Sequence, residues 1–477
     1  MNGTGNASTG RIPRRGRGRR LAKRALLLLA ACVAVVAVIR FRRGGGDDVL
    51  FVSVDTLRTD RIVCYGGTGR TGAMDRLAGS GILFERAATN IPRTTPAFAT
   101  ILTGRYPQHH GVRFLRQPLD PGEPVLPAVL QAAGFRTAAF VAGGPLEPAT
   151  GLDRGFGTYR CYVDLKAGLV ALRAIPWMVQ NLTSRTFLWV HFFDPHFGYQ
   201  PPWPWSAGTA PGQFTLYADT RDRKVSFGQL HFNPPLTETE HAWLRHLYTG
   251  EVSYTDAGIS GLLAVVRVRD WIVGGHTLVI LTADHGESLG EHGCWYEHGE
   301  YLYEPDVRIP LIVRWPGRLP AGVRSLAPAE TIDIAPTVLD LVGLPPLPDA
   351  DGRSLAGVLR GGEFTPRPIF VESGESFFPE NRRRTLGGVE GKWRAVRLGD
   401  WKLVRLPRPD GSPALELYDV RTDPGESRDL AASDPSRAAG LEALLTEWMA
   451  SAGHRTLVPP VLDDAARERL RSLGYLD

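Results

Sequence analysis

The sequence predicts an α/β fold: a large, mainly parallel sheet flanked by helices, followed by a smaller carboxyl-terminal α+β domain with an antiparallel sheet. Three observations predict it. Continuous apolar runs end in polar residues, which is typical of strands buried on both faces of a parallel sheet. Helix-like stretches separate these runs. After about residue 365, short strand-like segments and one helical stretch replace that pattern.

The strands of the large sheet follow from the apolar runs. The first run, residues 49–54, ends in Asp55, and the run at residues 276–283 ends in Asp284. Because the carboxyl ends of parallel strands meet at one edge of the sheet, we expect the active site at that edge. The other runs are residues 136–141, 186–192 and 310–315, and the helix-like stretches are residues 124–133, 238–269 and 331–342.

Five segments are predicted along the chain. They are a basic cytoplasmic tail (1–24), a transmembrane signal anchor (25–41), a linker (42–48), the catalytic domain (49–364) and the carboxyl-terminal subdomain (365–477). In the last of these, residues 368–376, 393–406 and 415–420 favour short antiparallel strands, and residues 437–449 favour a helix.

Composition excludes several classes of protein. Hydrophobic residues make up 43% and charged residues 22% of the 477 residues, which is typical of a globular protein rather than a disordered one. The net charge is +5, yet residues 1–43 hold eleven basic residues and no acid, which leaves 44 basic against 50 acidic residues in the rest. A basic groove for nucleic acid is therefore not predicted.

The amino-terminal segment predicts attachment to a membrane. Fifteen uncharged residues, 25–39, lie between Lys23-Arg24 and Arg40, whose long side chains can extend a short span. The positive flank favours a cytoplasmic amino terminus and an extracytoplasmic, periplasmic or extracellular, catalytic domain. Two alternatives remain open: a cleaved signal that yields a secreted protein, and a lipoprotein, because residues 29–32 resemble a lipoprotein processing box.

Three side chains at predicted strand ends favour a metal site. Asp55 and the pair Asp284-His285 can converge on one divalent ion, and Gly286 permits a tight turn behind the pair. In isolation, Asp55 also suits a helix cap and His285 a structural role in the core. Imidazole ligation, and the need to activate a hydroxyl group, favour Mn²⁺ or Zn²⁺.

Thr94 is the candidate nucleophile. Pro96 favours a helix that starts just after Thr94, so that the hydroxyl lies at a helix amino terminus, where an anion is stabilised. A threonine hydroxyl is a weak nucleophile unless a metal or a base lowers its pKa. A metal at Asp55, Asp284 and His285 would do so, whereas the alternative is an ordinary threonine cap.

Several segments resemble the sulfatase branch of the alkaline phosphatase superfamily. The resemblance implies a large α/β domain, a small carboxyl-terminal sheet domain, and a metal-dependent hydrolase of sulfate or phosphate esters that uses Ca²⁺. It covers roughly residues 48–475 and is carried by VSVDTLRTDRIVCYG (52–66), TTPAFATILTGRYPQHHG (94–111), HFFDPHFGY (191–199), TADHGESLGEHG (282–293), VRIPLIVRWPG (307–317) and ELYDVRTDPGESRDLA (416–431).

Carried over by position, the resemblance makes Asp55, Asp284 and His285 metal ligands and places Thr94 at the nucleophile. Sulfatases have at that place a cysteine that is converted to formylglycine, in a Cys-x-Pro-Ser-Arg motif. This sequence has none of the motif's cysteine, serine and arginine, so no formylglycine is expected. Thr56 replaces a second aspartate, and no lysine lies between residues 25 and 165 or between 225 and 391, where the family places two sulfate-binding lysines.

These departures resemble the phosphodiesterase and phosphoethanolamine-transferase relatives, in which a threonine is esterified by the phosphoryl group. His196 and His298 are then candidates for protonating the leaving alcohol, or for holding a second metal together with Asp194. Arg58, Arg105 and Asp194 are the candidate substrate contacts. Separately, Glu287 and Glu291 are expected to orient His285.

The sequence thus predicts a metal-dependent hydrolase of sulfate or phosphate esters that acts on a small-molecule or glycan ester through a metal-activated threonine. Two alternatives remain open. One is a membrane-anchored transferase of the phosphoethanolamine type that acts on envelope glycans. The other is a catalytically inactive binding module that kept the fold, although the presence of Asp55, Thr94, Asp284 and His285 argues against it.

Overall fold

The computed structural model describes residues 47–208, 236–374, 393–407 and 412–451. The predicted anchor (25–41) and basic tail lie outside the described residues. Within the parts that are described, no helix has both the length and the apolar character needed to cross a membrane.

The strands form one large sheet, one small sheet and one hairpin. In chain order they are β1 (Asp48–Val54), β2 (Ile82–Ala88), β3 (Arg136–Ala142), β4 (Thr158–Tyr162), β5 (Thr186–Phe192), β6 (Thr277–Ala283), β7 (Ser288–Leu289), β8 (Trp295–Glu297), β9 (Leu311–Arg314), β10 (Val323–Glu330), β11 (Ile369–Glu372), β12 (Arg394–Leu398), β13 (Trp401–Pro407) and β14 (Pro413–Asp419). The large sheet has the order β10-β2-β9-β6-β1-β5-β3-β4, and all its pairings are parallel except those of β9.

Two groups of helices pack beside the large sheet. The described helices are α1 (Gly72–Gly79), α2 (Thr94–Thr103), α3 (Pro107–His110), α4 (Leu126–Ala132), α5 (Ala167–Gln180), α6 (Glu238–Val273), α7 (Glu304–Val307), α8 (Ile334–Leu341), α9 (Ala356–Leu359) and α10 (Pro435–Ala450). Helix α6 contacts both α1 and α5, while α2 contacts α4 and α8. Thr237 begins α6 with a reciprocal capping interaction with Glu240, and Gly274 ends it in a left-handed conformation.

The predicted fold class is confirmed. All five apolar runs form strands, but the run at residues 310–315 becomes β9, which is antiparallel to both of its neighbours. Strands β2, β4 and β10 were not predicted, because their sequences lack a continuous apolar run. β2 contains Glu85 and Arg86, β10 contains a proline, and β4 is a half-exposed edge strand.

The sheet order places the predicted site residues side by side. β1 lies between β5 and β6, and Val54 is in register with Phe192 on one side and Ala283 on the other. The chain therefore leaves these three strands at the same level of the sheet edge. The backbone N–H of Asp55 continues the ladder by donating to the carbonyl of Phe192 at 2.8 Å.

The small sheet, with the order β11-β12-β13-β14, is entirely antiparallel and packs against α10. A buried ion cluster joins the segment before β11 to the large sheet. Arg367 contacts Glu330, at the end of β10, at 2.8 Å and also pairs with Asp333. Both carboxylates are almost fully buried, so Arg367 supplies their compensating charge.

We predict that Arg367→Met destabilises the protein by about 3–5 kcal/mol, because it leaves two buried carboxylates without their cation. The free energy of unfolding in urea tests this prediction. Arg421→Met is the matched control. Arg421 pairs with Asp400 but its side chain is 65% exposed, so its loss is expected to cost at most about 1 kcal/mol. Equal losses for the two variants would contradict the prediction.

Candidate active site

Three fully buried side chains meet where β1 and β6 end. Asp55 follows β1, and Asp284 and His285 follow β6. Their ligand atoms all lie within 4.8 Å of one another. Gly286 makes this approach possible, because a Cβ at that position would lie 1.9 Å from the carbonyl oxygen of Pro305. The structure therefore brings together the three residues that the sequence predicts as metal ligands.

Thr94 completes the cluster. Its Oγ1 lies 3.4 Å from Oδ2 of Asp55 and 3.4 Å from Nε2 of His285. Thr94 is the first residue of α2, one position further into the helix than predicted, and every residue of this helix is buried. The hydroxyl is thus held at a helix amino terminus and faces both a carboxylate and an imidazole.

The hydrogen bonds of His285 fix its tautomer. Nδ1 lies 2.9 Å from the carbonyl oxygen of Gly286, and because a carbonyl only accepts, Nδ1 carries the proton. Nε2 therefore presents a lone pair toward the Thr94 hydroxyl. Burial lowers the pKa of His285 to about 3, so the ring is neutral at physiological pH.

The two carboxylates of the cluster require a compensating positive charge. Burial raises the pKa of Asp55 and of Asp284 well above the usual range, and the charge of Asp55 raises that of Asp284 further. One buried oxygen of each, Oδ1 of Asp55 and Oδ2 of Asp284, has no hydrogen-bond partner among the described residues. Two carboxylates, an imidazole lone pair and a hydroxyl oxygen form a donor set that fits a divalent cation.

His191 supports Asp55 and was missed at the level of the sequence. It lies on β5, with Nε2 3.4 Å from Oδ2 of Asp55 and Nδ1 2.9 Å from Oγ of Ser53. Ser53 in turn accepts a hydrogen bond from the indole of Trp189 at 2.8 Å. A histidine within an otherwise apolar strand was the only signal of this role. Its position beside Asp55 depends on the pairing of β5 with β1.

His196 and His298 form a second group next to His285. The ring centroids of His285 and His298 lie 4.2 Å apart, and those of His196 and His298 lie 5.2 Å apart. Nδ1 of His298 lies 3.3 Å from Glu287, and Nδ1 of His196 lies 3.2 Å from the carbonyl of Phe197. Burial lowers the pKa of His196 to about 4 and that of His298 well below its usual range.

Glu287 and Glu291 were expected to orient His285, but their side chains make other contacts. Glu287 instead orients His298, and Glu291 forms an ion pair with Arg58 at 2.8 Å. Both acids lie in the segment that follows β6. Glu287 contacts a histidine of the same segment, whereas Glu291 joins the segment to Arg58, which follows β1.

Asp194 is not brought into the histidine group. Its Oδ1 accepts the backbone N–H of Ala167, at the start of α5, at 3.1 Å and lies 3.9 Å from Nζ of Lys166. The alternative of a second metal at Asp194, His196 and His298 is not supported, because their ligand atoms do not form a group that can share one ion. Among the described residues, the group of three or more ligands that can share an ion is Asp55, Asp284 and His285.

The two predicted substrate-binding arginines contact carboxylates. Arg58 pairs with Asp60 and Glu291, each at 2.8 Å, and donates to the carbonyl of Glu287 at 2.9 Å. Arg105 pairs with the buried Glu123 at 2.8 Å. Arg58 therefore stabilises the turn after β6, and its guanidinium group contacts carboxylates of the protein.

Arg93 is a second residue that sequence reasoning missed. It directly precedes Thr94, is 5% exposed, and passes between two glycines of the chain. A Cβ at Gly299 would lie 2.5 Å from Nε of Arg93, and one at Gly374 would lie 2.6 Å from its Cγ. Its positive charge acts on all three histidines and lowers the pKa of His196, His285 and His298. In the sequence, the indication of this role was that Arg93 directly precedes Thr94.

Comparisons with known proteins agree with this fold. A family model described as sulfatase matches residues 47–344, and one described as N-sulphoglucosamine sulphohydrolase, C-terminal, matches residues 290–451. The chain is 23% identical to an N-acetylglucosamine-6-O-sulfatase of Bacteroides thetaiotaomicron, over 80% of this chain and 82% of that protein. It is 26% identical to a dog N-acetylgalactosamine-6-sulfatase, over 69% of each.

Solved structures share the fold. The crystal structure of the phosphonate monoester hydrolase of Agrobacterium radiobacter matches with a TM-score of 0.71 and 21% identity, over 88% of this chain and 98% of that one. A structure solved in complex with its substrate D-glucosamine-2-N,6-O-disulfate matches with a TM-score of 0.67 and 21% identity, over 85% and 98%. With the family model matched over residues 47–344, the chain belongs to the sulfatase family and is a hydrolase that acts on ester bonds.

Proposed function

We propose that this hydrolase cleaves phosphate esters, with Thr94 as the nucleophile and one divalent metal ion held by Asp55, Thr94, Asp284 and His285. The observation that carries the proposal is the position of Thr94 Oγ1, 3.4 Å from both Asp55 and His285. An oxygen so placed belongs to the same donor set as the carboxylates. Because position 94 is threonine, formylglycine chemistry is not available to it.

The donor set supports a particular kind of ion. Ca²⁺ prefers six to eight oxygen ligands, whereas a site with an imidazole nitrogen suits Mn²⁺ or Zn²⁺. We therefore favour Mn²⁺ or Zn²⁺ over the Ca²⁺ that family resemblance implies. When bound, such an ion lowers the pKa of the Thr94 hydroxyl and neutralises negative charge on the phosphoryl group.

The residues around Thr94 support a two-step reaction. Thr94 Oγ1 attacks phosphorus in line, the bond to the leaving alcohol breaks, and water then hydrolyses the phosphothreonine. His196 carries the proton on Nδ1, because its partner is the carbonyl oxygen of Phe197, and it has a lone pair on Nε2. We propose the same tautomer for His298, whose Nδ1 lies beside Glu287. In our proposal one of them takes up the proton of Thr94 and returns it to the leaving alcohol, and water finally restores the Thr94 hydroxyl.

Arg93 supplies the anion contact in this proposal. It is a buried cation adjacent to the nucleophile, and its field reaches His196, His285 and His298. A guanidinium at that place can hold two oxygens of a tetrahedral anion. Arg58 and Arg105, the contacts expected from the sequence, form ion pairs with Glu291 and Glu123, and neither is adjacent to Thr94 in the chain.

Sulfate esters are the second candidate substrates. Relatives of this chain are named as sulfatases of amino sugars, which favours a glycan or small-molecule ester with a sulfate group. The two candidates share the metal site and differ in the covalent intermediate. We also propose that residues 25–41 anchor the protein in a membrane with the catalytic domain on the extracytoplasmic side, on the basis of the apolar run and its basic flank.

We predict that the metal-free protein is destabilised at neutral pH by its buried carboxylates. Their folded pKa values exceed the unfolded value of about 3.9, so the metal-free protein loses stability as pH rises from about 4. Mn²⁺ is therefore expected to raise Tm over the chelator-treated protein, by more at pH 8 than at pH 5. Differential scanning calorimetry measures both values.

Asp284→Asn is expected to abolish the Mn²⁺-dependent rise in Tm while making the metal-free protein no less stable, because it removes one of two repelling charges. Asp256→Asn is the matched control. Asp256 is also buried, but it accepts hydrogen bonds from the start of α1, so the Mn²⁺ effect should remain. An unchanged Mn²⁺ effect in Asp284→Asn would contradict the metal site.

We predict that Thr94→Val lowers turnover of aryl phosphate esters by roughly 10³-fold or more, because the nucleophile is lost. Thr103→Val, at the other end of α2, removes a hydroxyl that bonds within the helix and should retain turnover. Acid quenching with a ³²P-labelled ester should yield label on the peptide that contains Thr94. The same experiment is repeated with an aryl [³⁵S]sulfate. If this ester is hydrolysed and leaves ³⁵S on the Thr94 peptide, sulfate esters are favoured as the substrates instead. Near-native turnover of Thr94→Val would exclude this nucleophile.

We predict that Arg93→Gln weakens binding of inorganic phosphate by about 10-fold or more, as expected for the loss of a charge-assisted hydrogen bond. Calorimetry in the Thr94→Val background measures this affinity without turnover. Arg105→Gln, which removes a guanidinium paired with Glu123, serves as the control and should bind phosphate normally. If Arg105→Gln weakened phosphate binding and Arg93→Gln did not, the anion contact would be assigned to Arg105.

A further inference from the structure

The edge of the large sheet opposite the active site carries the start of the described chain. β1 begins there at Asp48, which pairs with Arg269 of α6. Arg269 also donates to the carbonyls of Asn181 and Ser184, which follow α5. The point where the chain enters β1 is thus fixed beside the carboxyl-terminal ends of two neighbouring helices.

Large apolar side chains are exposed at these helix ends. Val179 of α5 is 54% exposed, and Val268 and Trp271 of α6 are 58% and 69% exposed. Val268 and Trp271 are three residues apart and therefore share one face of the helix. A tryptophan and two valines are therefore exposed close to the end of the domain at which the described chain begins.

Arginines border a groove at the same edge. Arg76 of α1, Arg267 of α6 and Arg314 of β9 line a groove of about 340 Å³ whose apolar walls include Leu77, Leu263 and Val266. α1 ends just before β2 starts, and the antiparallel β9 ends at Arg314, so all three arginines lie at the edge that contains Asp48. Such a groove combines positive charge with apolar surface.

The sequence limits how far this edge can lie from the predicted anchor. Residues 42–47 join the apolar segment 25–41 to Asp48, and six residues reach at most about 20 Å. With the anchor in a bilayer, Asp48 is held within that distance of its surface. The edge at Asp48, rather than the active-site edge, is therefore the part of the domain nearest to the lipid.

We propose that this edge is a bilayer-docking face, made of Val179, Val268, Trp271, Arg76, Arg267 and Arg314, and that it binds an anionic lipid surface. Tryptophan is favoured at the level of lipid headgroups, and arginines bind lipid phosphates. The proposal rests on the proposed membrane anchor and is independent of the chemistry at Thr94.

Docking in this way orients the active site. The seven-residue strands β1 and β6 span about 20 Å or more, and the site lies at their far ends. The catalytic cluster then faces away from the bilayer to which the protein is attached. Its substrate reaches it from the aqueous phase, as a soluble or glycan-linked ester, rather than as a headgroup of the same leaflet.

The test compares two exposed tryptophans of the full chain in nanodiscs. Trp271 lies on the docking face, and Trp203, which is 81% exposed, lies in the loop after β5, on the active-site side. Hydroxyl-radical oxidation followed by mass spectrometry reports the accessibility of each. In nanodiscs of phosphatidylcholine and phosphatidylglycerol, we expect oxidation of Trp271, relative to Trp203, to be several-fold lower than in nanodiscs of phosphatidylcholine alone.

The charge-reversed triple variant Arg76→Glu/Arg267→Glu/Arg314→Glu should lose this protection of Trp271. The single variant Arg267→Glu should lose part of it. Tm and turnover show whether each variant is still folded. Arg428→Glu, an exposed arginine of the carboxyl-terminal domain, should keep it. If the chain enters nanodiscs but Trp271 is as reactive as Trp203 in both lipid mixtures, the proposed docking face is wrong, while the membrane anchor stands. A chain that fails to enter nanodiscs would overturn the anchor and the docking face, while the chemistry at Thr94 would stand.

Discussion

The organisation of this protein depends on two carboxylates that are buried within a few ångströms of each other. Asp55 and Asp284 are fully buried, and each keeps one oxygen that has no hydrogen-bond partner among the described residues. Like charges in such a place repel each other and lose their hydration, which is costly unless a cation joins them. The imidazole lone pair of His285 and the hydroxyl of Thr94 complete a donor set that an ion can occupy.

The rest of the fold serves this arrangement. Pairing of β1 with both β5 and β6 aligns the strand ends, and Gly286 lets the chain turn beside Pro305 without a steric clash. Helix α2, buried along its whole length, holds Thr94 beside Asp55 and His285. The α/β scaffold therefore fixes three distant parts of the sequence with little freedom to move, which is what a preorganised site requires.

Much of this could be predicted from the sequence, because it follows from strand ends. Asp55, Asp284 and His285 follow apolar runs, and Thr94 lies two residues before a proline that suits the first turn of a helix. The partners of side chains could not be predicted in the same way. Asp194 caps α5 and Arg105 pairs with Glu123, contacts that depend on tertiary packing. His191 and Arg93 were missed for the same reason, since strand pairing and two distant glycines place them.

Membership in the sulfatase family, combined with a threonine in place of the motif cysteine, makes the occupant of this cluster the decisive question. The most direct measurement is anomalous X-ray scattering from crystals of the protein soaked in Mn²⁺. We expect one strong peak bonded to Asp55, Thr94, Asp284 and His285, at about 2.0–2.3 Å from their ligand atoms. If the enzyme depends on Mn²⁺ but the anomalous peak lies elsewhere, remote from Thr94, the proposed metal site and the role of Thr94 would both be contradicted.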